Sequence, residues 1–392
     1  MAELTYVVTG TGRLLLPEPY DGPLPWAITL SGGSVVAVGP AADAPPLAAT
    51  LDLGADLVTP GLVDAHTHPI YAGDRSDEAA ARLAGEPYTG GGILRTVAAT
   101  RAASDDELEA LVEARLRAQL AAGTTTVEAK SGYGLATDEE LRHLRILARV
   151  AERDPVHVVT TFLGAHAQPP DRPDYVAELV AEMLPAVAAE RLAEFCDVFC
   201  DRGFFSVADA ERILTAAAAH GLGLRLHADQ LARIGAPALG VRLGATSIDH
   251  LEQLAGDDVE LVARSGSVAT LLPGPALVMR DRLPPARALL DAGASVALAS
   301  DANAGTFGGW GAMPLVIGLG ATLLGMAVDE AVTAATRGGA AALGQTTRGF
   351  IGPGSVADLV AWDAEHEGAF ALRLGGVRAR TVVVGGEVVI GS

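Results

Sequence analysis

Cysteine is scarce in this chain of 392 residues, which contains only Cys196 and Cys200. Two cysteines cannot form the disulfide framework of a small secreted domain, so we expect two reduced thiols in a cytoplasmic protein. Lysine is scarcer still, since Lys130 is the only one and every other basic side chain is arginine. Together with the abundant alanine and glycine, this bias indicates genomic base composition and is not interpreted as part of a mechanism.

Positive charge is also in short supply. The formal net charge is −20, whereas nucleic-acid binding requires a basic face. The longest apolar stretch, residues 314–328, is too short and too interrupted by glycine to cross a membrane, and it predicts a core helix. The first residues lack the basic and apolar segments of a secretory signal. Neither nucleic acid nor a membrane is therefore an expected partner.

Both ends of the chain are rich in short β-type runs separated by glycine and proline. Hydrophobic residues make up 49% of the chain against 19% charged residues, which predicts a large folded core. The β-type runs are residues 5–8, 26–30, 34–38, 357–362, 380–384 and 387–390. We expect residues 1–57 and 349–392 to form one small β-sandwich domain.

The middle of the chain, residues 58–348, alternates apolar runs with helical segments such as Asp105–Ala121 and residues 138–153. The eight runs are residues 62–66, 125–128, 156–162, 195–199, 222–227, 246–250, 267–272 and 295–300. Continuous apolar strands are typical of a parallel sheet, and eight of them in βα alternation predict a (β/α)8 TIM barrel of the α/β class. The run Gly90-Gly91-Gly92 matches no phosphate-binding pattern and predicts a flexible loop.

Polar residues with metal-binding chemistry follow or close these runs. Active sites of TIM barrels lie at the C-terminal ends of the strands, and residues i and i+2 of a strand point the same way, so His66 and His68 can reach one ion together. The remaining histidines, at positions 143, 157, 220 and 366, lack this context and are expected to be structural. The candidate functional residues at strand ends are His66, His68, His166, His227, His250 and Asp301.

Three imidazoles and one carboxylate can bind a divalent ion and leave a position for water. Such an ion lowers the pKa of bound water from about 15.7 to about 7, and Asp301 can accept the proton. His250 or His166 can hold or polarise the substrate oxygen. This chemistry is hydrolysis of an amide-like or amidine-like bond, and both zinc and iron suit the donor set.

At this point the sequence resembles the amidohydrolase superfamily, whose ligand pattern is His-x-His after strand one, histidines after strands five and six, and aspartate after strand eight. Two-metal members carry a bridging carboxylated lysine after strand four, where this chain has Phe199-Cys200-Asp201. The resemblance therefore implies one metal ion. It narrows to the imidazolonepropionase family over about residues 58–345, through the segments 60–68, 72–75, 96–101, 130–135, 162–166, 227–230, 271–274 and 300–305.

This resemblance implies ring opening of 4-imidazolone-5-propanoate to N-formimidoyl-L-glutamate, a step of L-histidine degradation, by a homodimer. It implies His66, His68, His227 and Asp301 as metal ligands, and Asp301, His250 and His166 as catalytic residues. The implied substrate contacts are Arg75, Tyr133, His166, Gln230, Asn303, Gly305 and Thr306. From the residues alone, Arg75 is a suitable bidentate partner for the propionate group.

Other functions remain open at the level of sequence. A nucleobase deaminase would use a glutamate three residues after the strand-five histidine, where this chain has Gln230. A cyclic amidase of the dihydroorotase type would need the absent strand-four lysine, and a barrel that serves only as a scaffold should have lost its ligands. The segment around Tyr88 is shorter than in many relatives, and Ala304 stands where the family usually has proline. A related ring compound therefore remains an alternative substrate.

Overall fold

The computed structural model describes residues 5–16, 19–46, 50–85 and 91–391. Its strands are β1 Thr5–Gly10, β2 Trp26–Ser31, β3 Ser34–Pro40, β4 Thr50–Asp52, β5 Leu57–Pro60, β6 Leu62–Asp64, β7 Thr124–Lys130, β8 His157–Ala165, β9 Phe195–Cys200, β10 Gly223–Ala228, β11 Ser247–His250, β12 Val268–Leu271, β13 Val296–Leu298, β14 Leu359–Trp362, β15 Ala379–Val384 and β16 Glu387–Ile390.

The α-helices are α1 Ser76–Leu83, α2 Gly91–Ala102, α3 Asp105–Ala121, α4 Thr137–Ala151, α5 Tyr175–Glu178, α6 Leu184–Glu190, α7 Val207–Ala219, α8 Ala236–Leu243, α9 Asp257–Ala263, α10 Pro273–Met279, α11 Ala286–Asp291, α12 Met313–Leu323, α13 Val328–Thr333, α14 Gly339–Ala342 and α15 Gly368–Leu372. One turn of π-helix, Leu179–Met183, joins α5 to α6, and another, Ala334–Gly338, joins α13 to α14. A short 3₁₀ turn spans Ala41–Asp43.

Strands β6 to β13 form one parallel eight-stranded sheet in sequence order, as expected for a TIM barrel. Just beyond the ends of its outer strands the sheet closes on itself. The N–H of Asp301 donates to the carbonyl of His66 at 3.0 Å, and the N–H of His68 donates to the carbonyl of Ala302 at 2.9 Å. Each of the eight predicted runs overlaps one of these strands, so the predicted barrel is confirmed, and its closure brings residue 301 beside residues 66 and 68.

The helices around the barrel follow from local sequence signals. Ser104 caps α3 by accepting the N–H of Glu107, whose carboxylate accepts the N–H of Ser104 in return. The predicted helix Asp105–Ala121 matches α3, and the helix predicted over residues 138–153 is α4. The apolar stretch from residue 314 lies largely in α12, which is buried along most of its length. Within the described residues, no helix is long and apolar enough to cross a membrane.

Two four-stranded sheets, in the orders β3-β2-β1-β4 and β16-β15-β14-β5, pack face to face. Their shared core includes Trp26 and Ile28 from the first sheet with Leu359 and Val383 from the second. This arrangement confirms the predicted β-sandwich built from both chain ends. Strands β4 and β5 were not predicted, and β4 is only three residues long and largely exposed. Strand β5 joins the sandwich to the barrel. The limits of the two domains, residues 1–57 with 349–392 and residues 58–348, remain a prediction.

The glycine run at residues 90–92 was predicted to be a flexible loop, but its described residues are helical. Gly91 and Gly92 are the first residues of α2, while Gly90 and the segment around Tyr88 lie outside the described residues. A Cβ atom on Gly92 would lie 2.0 Å from Glu78 Oε2 and 2.1 Å from Arg75 Nη2. Glycine therefore lets the helix start pack closely against this part-buried ion pair.

Candidate metal centre and substrate pocket

Four predicted ligands come together where the barrel closes. The Nε2 atom of His66 lies 3.1 Å from His227 Nε2 and 3.3 Å from His68 Nε2. The Oδ1 atom of Asp301 lies 3.3 Å from His68 Nε2 and 3.7 Å from His66 Nε2. Four ligands held tetrahedrally at 2.0–2.2 Å from one ion are separated by roughly 3.3–3.6 Å. The spacing of His66, His68 and Asp301 therefore fits one zinc-sized ion, and His227 lies against His66 in a second group of possible ligands that includes His250.

Carboxylates behind the histidines fix their orientation. Asp249 Oδ2 lies 2.6 Å from His66 Nδ1, and Asp197 Oδ2 lies 2.9 Å from His227 Nδ1. The hydrogen bond to Asp249 places the proton of His66 on Nδ1, so its Nε2 lone pair points at its neighbours, and the nearby Asp197 carboxylate favours the same tautomer of His227. Burial lowers the pKa of His66 well below its usual value, and that of His227 to about 4. Neutral imidazoles with converging lone pairs are stabilised by a cation, so these residues fit a metal ion.

Asp301 is held firmly at the end of the last barrel strand. Its backbone is left-handed, with φ of 51°, an uncommon conformation for a non-glycine residue. The amide of Asn303 donates to Asp301 Oδ1 at 3.0 Å and to the carbonyl of Asp301 at 2.7 Å. Burial raises the pKa of the Asp301 carboxyl group. A carboxylate with a raised pKa is a better proton acceptor, which suits general-base chemistry.

A cavity opens beside the four donor atoms. It is lined by His68, Arg75, Ile93, Tyr133, His166, Phe199, His227, Gln230, His250, Asp301, Asn303 and Thr306. Apart from His66 and Gly305, every residue predicted for the site lines this cavity. His66 belongs to the donor cluster, and Gly305 packs against Arg75. The histidines at 143, 157, 220 and 366 are not among the lining residues, and both cysteines are free and buried.

Arg75 lies just before α1 and is 5% exposed. Glu78, one turn later, accepts its Nε–H at 2.9 Å and its Nη2–H at 2.6 Å. A Cβ atom on Gly305 would lie 2.3 Å from Arg75 Nη1, so a side chain there would displace the guanidinium group from this position. Glu78 thus occupies the Nε and Nη2 edge of the guanidinium group, so this edge is not open to a bidentate contact with the propionate, and the arginine is fixed in direction before any ligand binds.

The other two pocket histidines differ in their hydrogen bonds. His166 Nδ1 lies 3.0 Å from the carbonyl of Gly132, and because a carbonyl only accepts, Nδ1 carries the proton and Nε2 is an acceptor. Burial lowers the pKa of His166 to about 3. His250 Nδ1 lies 3.3 Å from Glu252 Oε1. Burial opposes its protonation, but the carboxylates of Glu252, Asp301 and Asp249 outweigh it and raise the pKa of His250 to about 9.

A buried charge network beneath the donor cluster was missed from sequence. Lys130 Nζ donates to Glu128 Oε1 at 2.8 Å and to Asp197 Oδ2 at 2.6 Å. Arg225 Nη2 donates to Asp249 Oδ2 at 2.9 Å. Charged residues two apart within apolar barrel strands were the available signal, because they face the barrel interior. Attributing Lys130 to base composition hid its place in this network.

Comparison with known proteins agrees with the predicted fold and family. A family model described as an amidohydrolase family matches residues 71–390. The imidazolonepropionase of Salinispora arenicola is 48% identical over 377 residues, covering 93% of this chain and 94% of that protein. The imidazolonepropionase of Xanthomonas campestris pv. campestris (strain 8004) is 44% identical over 384 residues, which cover 94% of this chain and 96% of that protein.

Among solved structures, N-isopropylammelide isopropylaminohydrolase from Burkholderia multivorans has a TM-score of 0.76 at 24% identity, covering 100% of this chain and 99% of its own. An adenosine deaminase from Xanthomonas campestris with bound zinc has a TM-score of 0.73 at 20% identity, and the match covers 98% of this chain and 93% of that one. At these identities the likeness concerns the fold.

The barrel, the β-sandwich and the His/Asp cluster that could hold a metal together define a hydrolase of the amidohydrolase class. Within that class, the chain belongs to the imidazolonepropionase family.

Proposed function

We propose that this protein hydrolyses 4-imidazolone-5-propanoate to N-formimidoyl-L-glutamate, a step of L-histidine degradation. The observation that carries the proposal is one cavity lined both by the candidate ligands His68, His227 and Asp301 and by a buried arginine suited to a propionate group. Identities of 43% to 48% with curated imidazolonepropionases over most of the chain support it.

We propose that one divalent ion per chain, zinc or iron, is held by His66, His68, His227 and Asp301. When bound, the ion would supply Lewis-acid activation of a water molecule at the substrate carbonyl. The carboxylates of Asp249 and Asp197 keep two of the histidines in the tautomer that this ligation needs.

Asp301 carries the proton transfer in this proposal. Its carboxylate accepts a proton from the attacking water as the C–O bond forms at the ring carbonyl carbon. It then donates that proton to the ring nitrogen as the C–N bond breaks, so that the elements of water are added across this bond. The raised pKa of the buried carboxyl group favours its holding the proton between the two steps.

His250 and His166 take different roles because they present different ring atoms. A protonated His250, balanced by Glu252, donates Nε2–H to the oxygen on which charge develops. His166 presents an acceptor, which suits a ring N–H of the substrate and not its oxygen. We therefore propose His250, and not His166, as the residue that polarises the substrate oxygen.

The rest of the pocket binds the substrate in this proposal. Arg75 pairs with the propionate, and Tyr133, Gln230, Asn303 and Thr306 line the space between it and the donor cluster. Gly305 gives Arg75 its room. The amide of Gln230 cannot shuttle protons, which argues against the deaminase alternative. A homodimer and a cytoplasmic location stay predictions.

Replacement of Arg75 by alanine tests the propionate contact. We expect KM for 4-imidazolone-5-propanoate to rise about 10- to 100-fold with kcat within about threefold, because a charge-assisted contact made equally in ground and transition states affects binding. The measurement is steady-state kinetics with substrate generated from urocanate. Arg95→Ala is the control, since Arg95 forms an exposed ion pair with Asp77 outside the pocket. An unchanged KM in Arg75→Ala would remove this arginine from substrate recognition.

A further inference from the structure

The loop that follows β7 carries two of the pocket's functional groups. Residues 131–136 link β7 to α4, and the buried side chain of Tyr133 projects from this loop into the cavity. The carbonyl of Gly132 fixes the tautomer of His166 through a 3.0 Å hydrogen bond. The rings of Tyr133 and His166 pack with their centroids 5.1 Å apart. The position of this loop therefore sets the geometry of both groups.

A single buried carboxylate anchors the loop. Glu140 lies in α4 and is 0% exposed. Its Oε2 accepts the N–H of Gly132 at 3.0 Å, and its Oε1 accepts the N–H groups of Gly134 and Leu135, each at 2.8 Å. A further side-chain hydrogen bond joins it to Ser131. Most of the loop backbone is thus tied to one side chain that itself lies outside the cavity lining.

The glycines of the loop match this anchor. A Cβ atom on Gly134 would lie 2.7 Å from the backbone nitrogen of Glu140 and 2.8 Å from its Oε1. A Cβ atom on Gly132 would lie 3.1 Å from His166 Nδ1, and its φ of 113° disfavours any side chain. On the other side of the loop, Arg101 Nε donates to the carbonyl of Gly134 at 2.7 Å. The loop is fitted closely around the carboxylate on one face and the guanidinium on the other.

We propose that Glu140 is a positioning residue for substrate binding, which acts by holding the 131–135 loop so that Tyr133 faces the ligand and His166 presents Nε2 as an acceptor. The proposal rests on the proposed function for its substrate. The anchoring of the loop by Glu140 is independent of the proposed function, because it can be measured on the protein without a substrate.

The test is Glu140→Gln, compared with Glu139→Gln as the matched control. The two glutamates are neighbours, but Glu139 is partly exposed and pairs with Arg142 on the helix surface. In the Glu140→Gln variant the new amide nitrogen cannot accept an N–H, so at least one loop hydrogen bond is lost. We expect KM to rise about 10- to 100-fold with kcat within about threefold and an unchanged metal content, since the loop contacts substrate and not the ion.

Hydrogen exchange separates the anchor from the reaction. In Glu140→Gln the amides of residues 132–135 should exchange at least about tenfold faster than in the wild type, while Glu139→Gln matches the wild type. Faster exchange with KM within about twofold of the wild type would overturn the positioning role, and so would unchanged exchange. If the wild type itself fails to turn over the imidazolone, the proposed function fails, and the exchange comparison alone decides whether Glu140 holds the loop.

A second variant covers the case in which Glu140→Gln does not fold. Gly134→Ala pushes a methyl group against the same carboxylate from the loop side, and its backbone is not in the left-handed region. It should reproduce the rise in KM and the faster exchange of the loop. A Gly134→Ala protein with wild-type KM would count against the proposal.

Discussion

Asp301→Ala should lose turnover by a factor of at least about 10³. The variant removes the group that takes the proton from water, a contribution of about 10²- to 10⁴-fold for general acid–base catalysis. It also removes one of four donor atoms of the metal cluster, since Asp301 Oδ1 lies 3.3 Å from His68 Nε2. The measurement is kcat together with metal content per chain.

Two further variants separate these contributions. Asp301→Asn keeps an oxygen donor for the ion but cannot act as the base, so we expect it to retain more metal than Asp301→Ala and yet remain nearly inactive. Asp258→Ala is the control, because that carboxylate pairs with Arg233 at the surface. Near-native turnover by Asp301→Ala would show that another group moves the proton.

Lys130→Met should destabilise the folded protein by about 3–5 kcal/mol, the usual cost of removing one partner of a buried ion pair. Glu128 and Asp197, both fully buried, would then have lost the ammonium group that lies 2.8 Å and 2.6 Å from their oxygens. Methionine fills a similar volume, so the loss reflects charge more than packing. The measurement is the free energy of unfolding in urea, followed by circular dichroism.

Arg95→Met is the control for the lysine variant. Its ion pair with Asp77 is exposed on both sides, at 53% and 67%, so its removal should leave the unfolding free energy unchanged within error. If Lys130→Met proved as stable as the wild type, the buried carboxylates would have to be neutral or compensated by Arg225 alone.

The barrel was predictable because its strands are continuous apolar runs with polar residues at one end. Two such residues, His66 and Asp301, lie far apart in the sequence, and they meet only because the sheet closes. Once a barrel is inferred, strand ends are neighbours, so the donor cluster follows from the fold. Strand β4 was missed since three largely exposed residues give no pattern.

The groups around the cluster were harder to predict, for a physical reason. The partner of His66 is Asp249, and the anchor of the Tyr133 loop is Glu140, both chosen by side-chain direction inside the fold. Sequence spacing indicates which residues share a strand face, but it does not show which carboxylate a given N–H will meet. Glu139 and Glu140 are adjacent and chemically alike, yet one lies at the surface and the other under the pocket.

The most direct test of the central claim is a coupled assay in which urocanase generates the unstable imidazolone from urocanate in place. The decay of its ultraviolet absorbance is followed with and without this protein, and the product is identified by mass. We predict formation of N-formimidoyl-L-glutamate faster than the uncatalysed decay, loss of this activity with a chelator, and its return on adding zinc or iron. Decay no faster than in the blank, from a protein that holds one metal ion per chain, would contradict the proposed substrate.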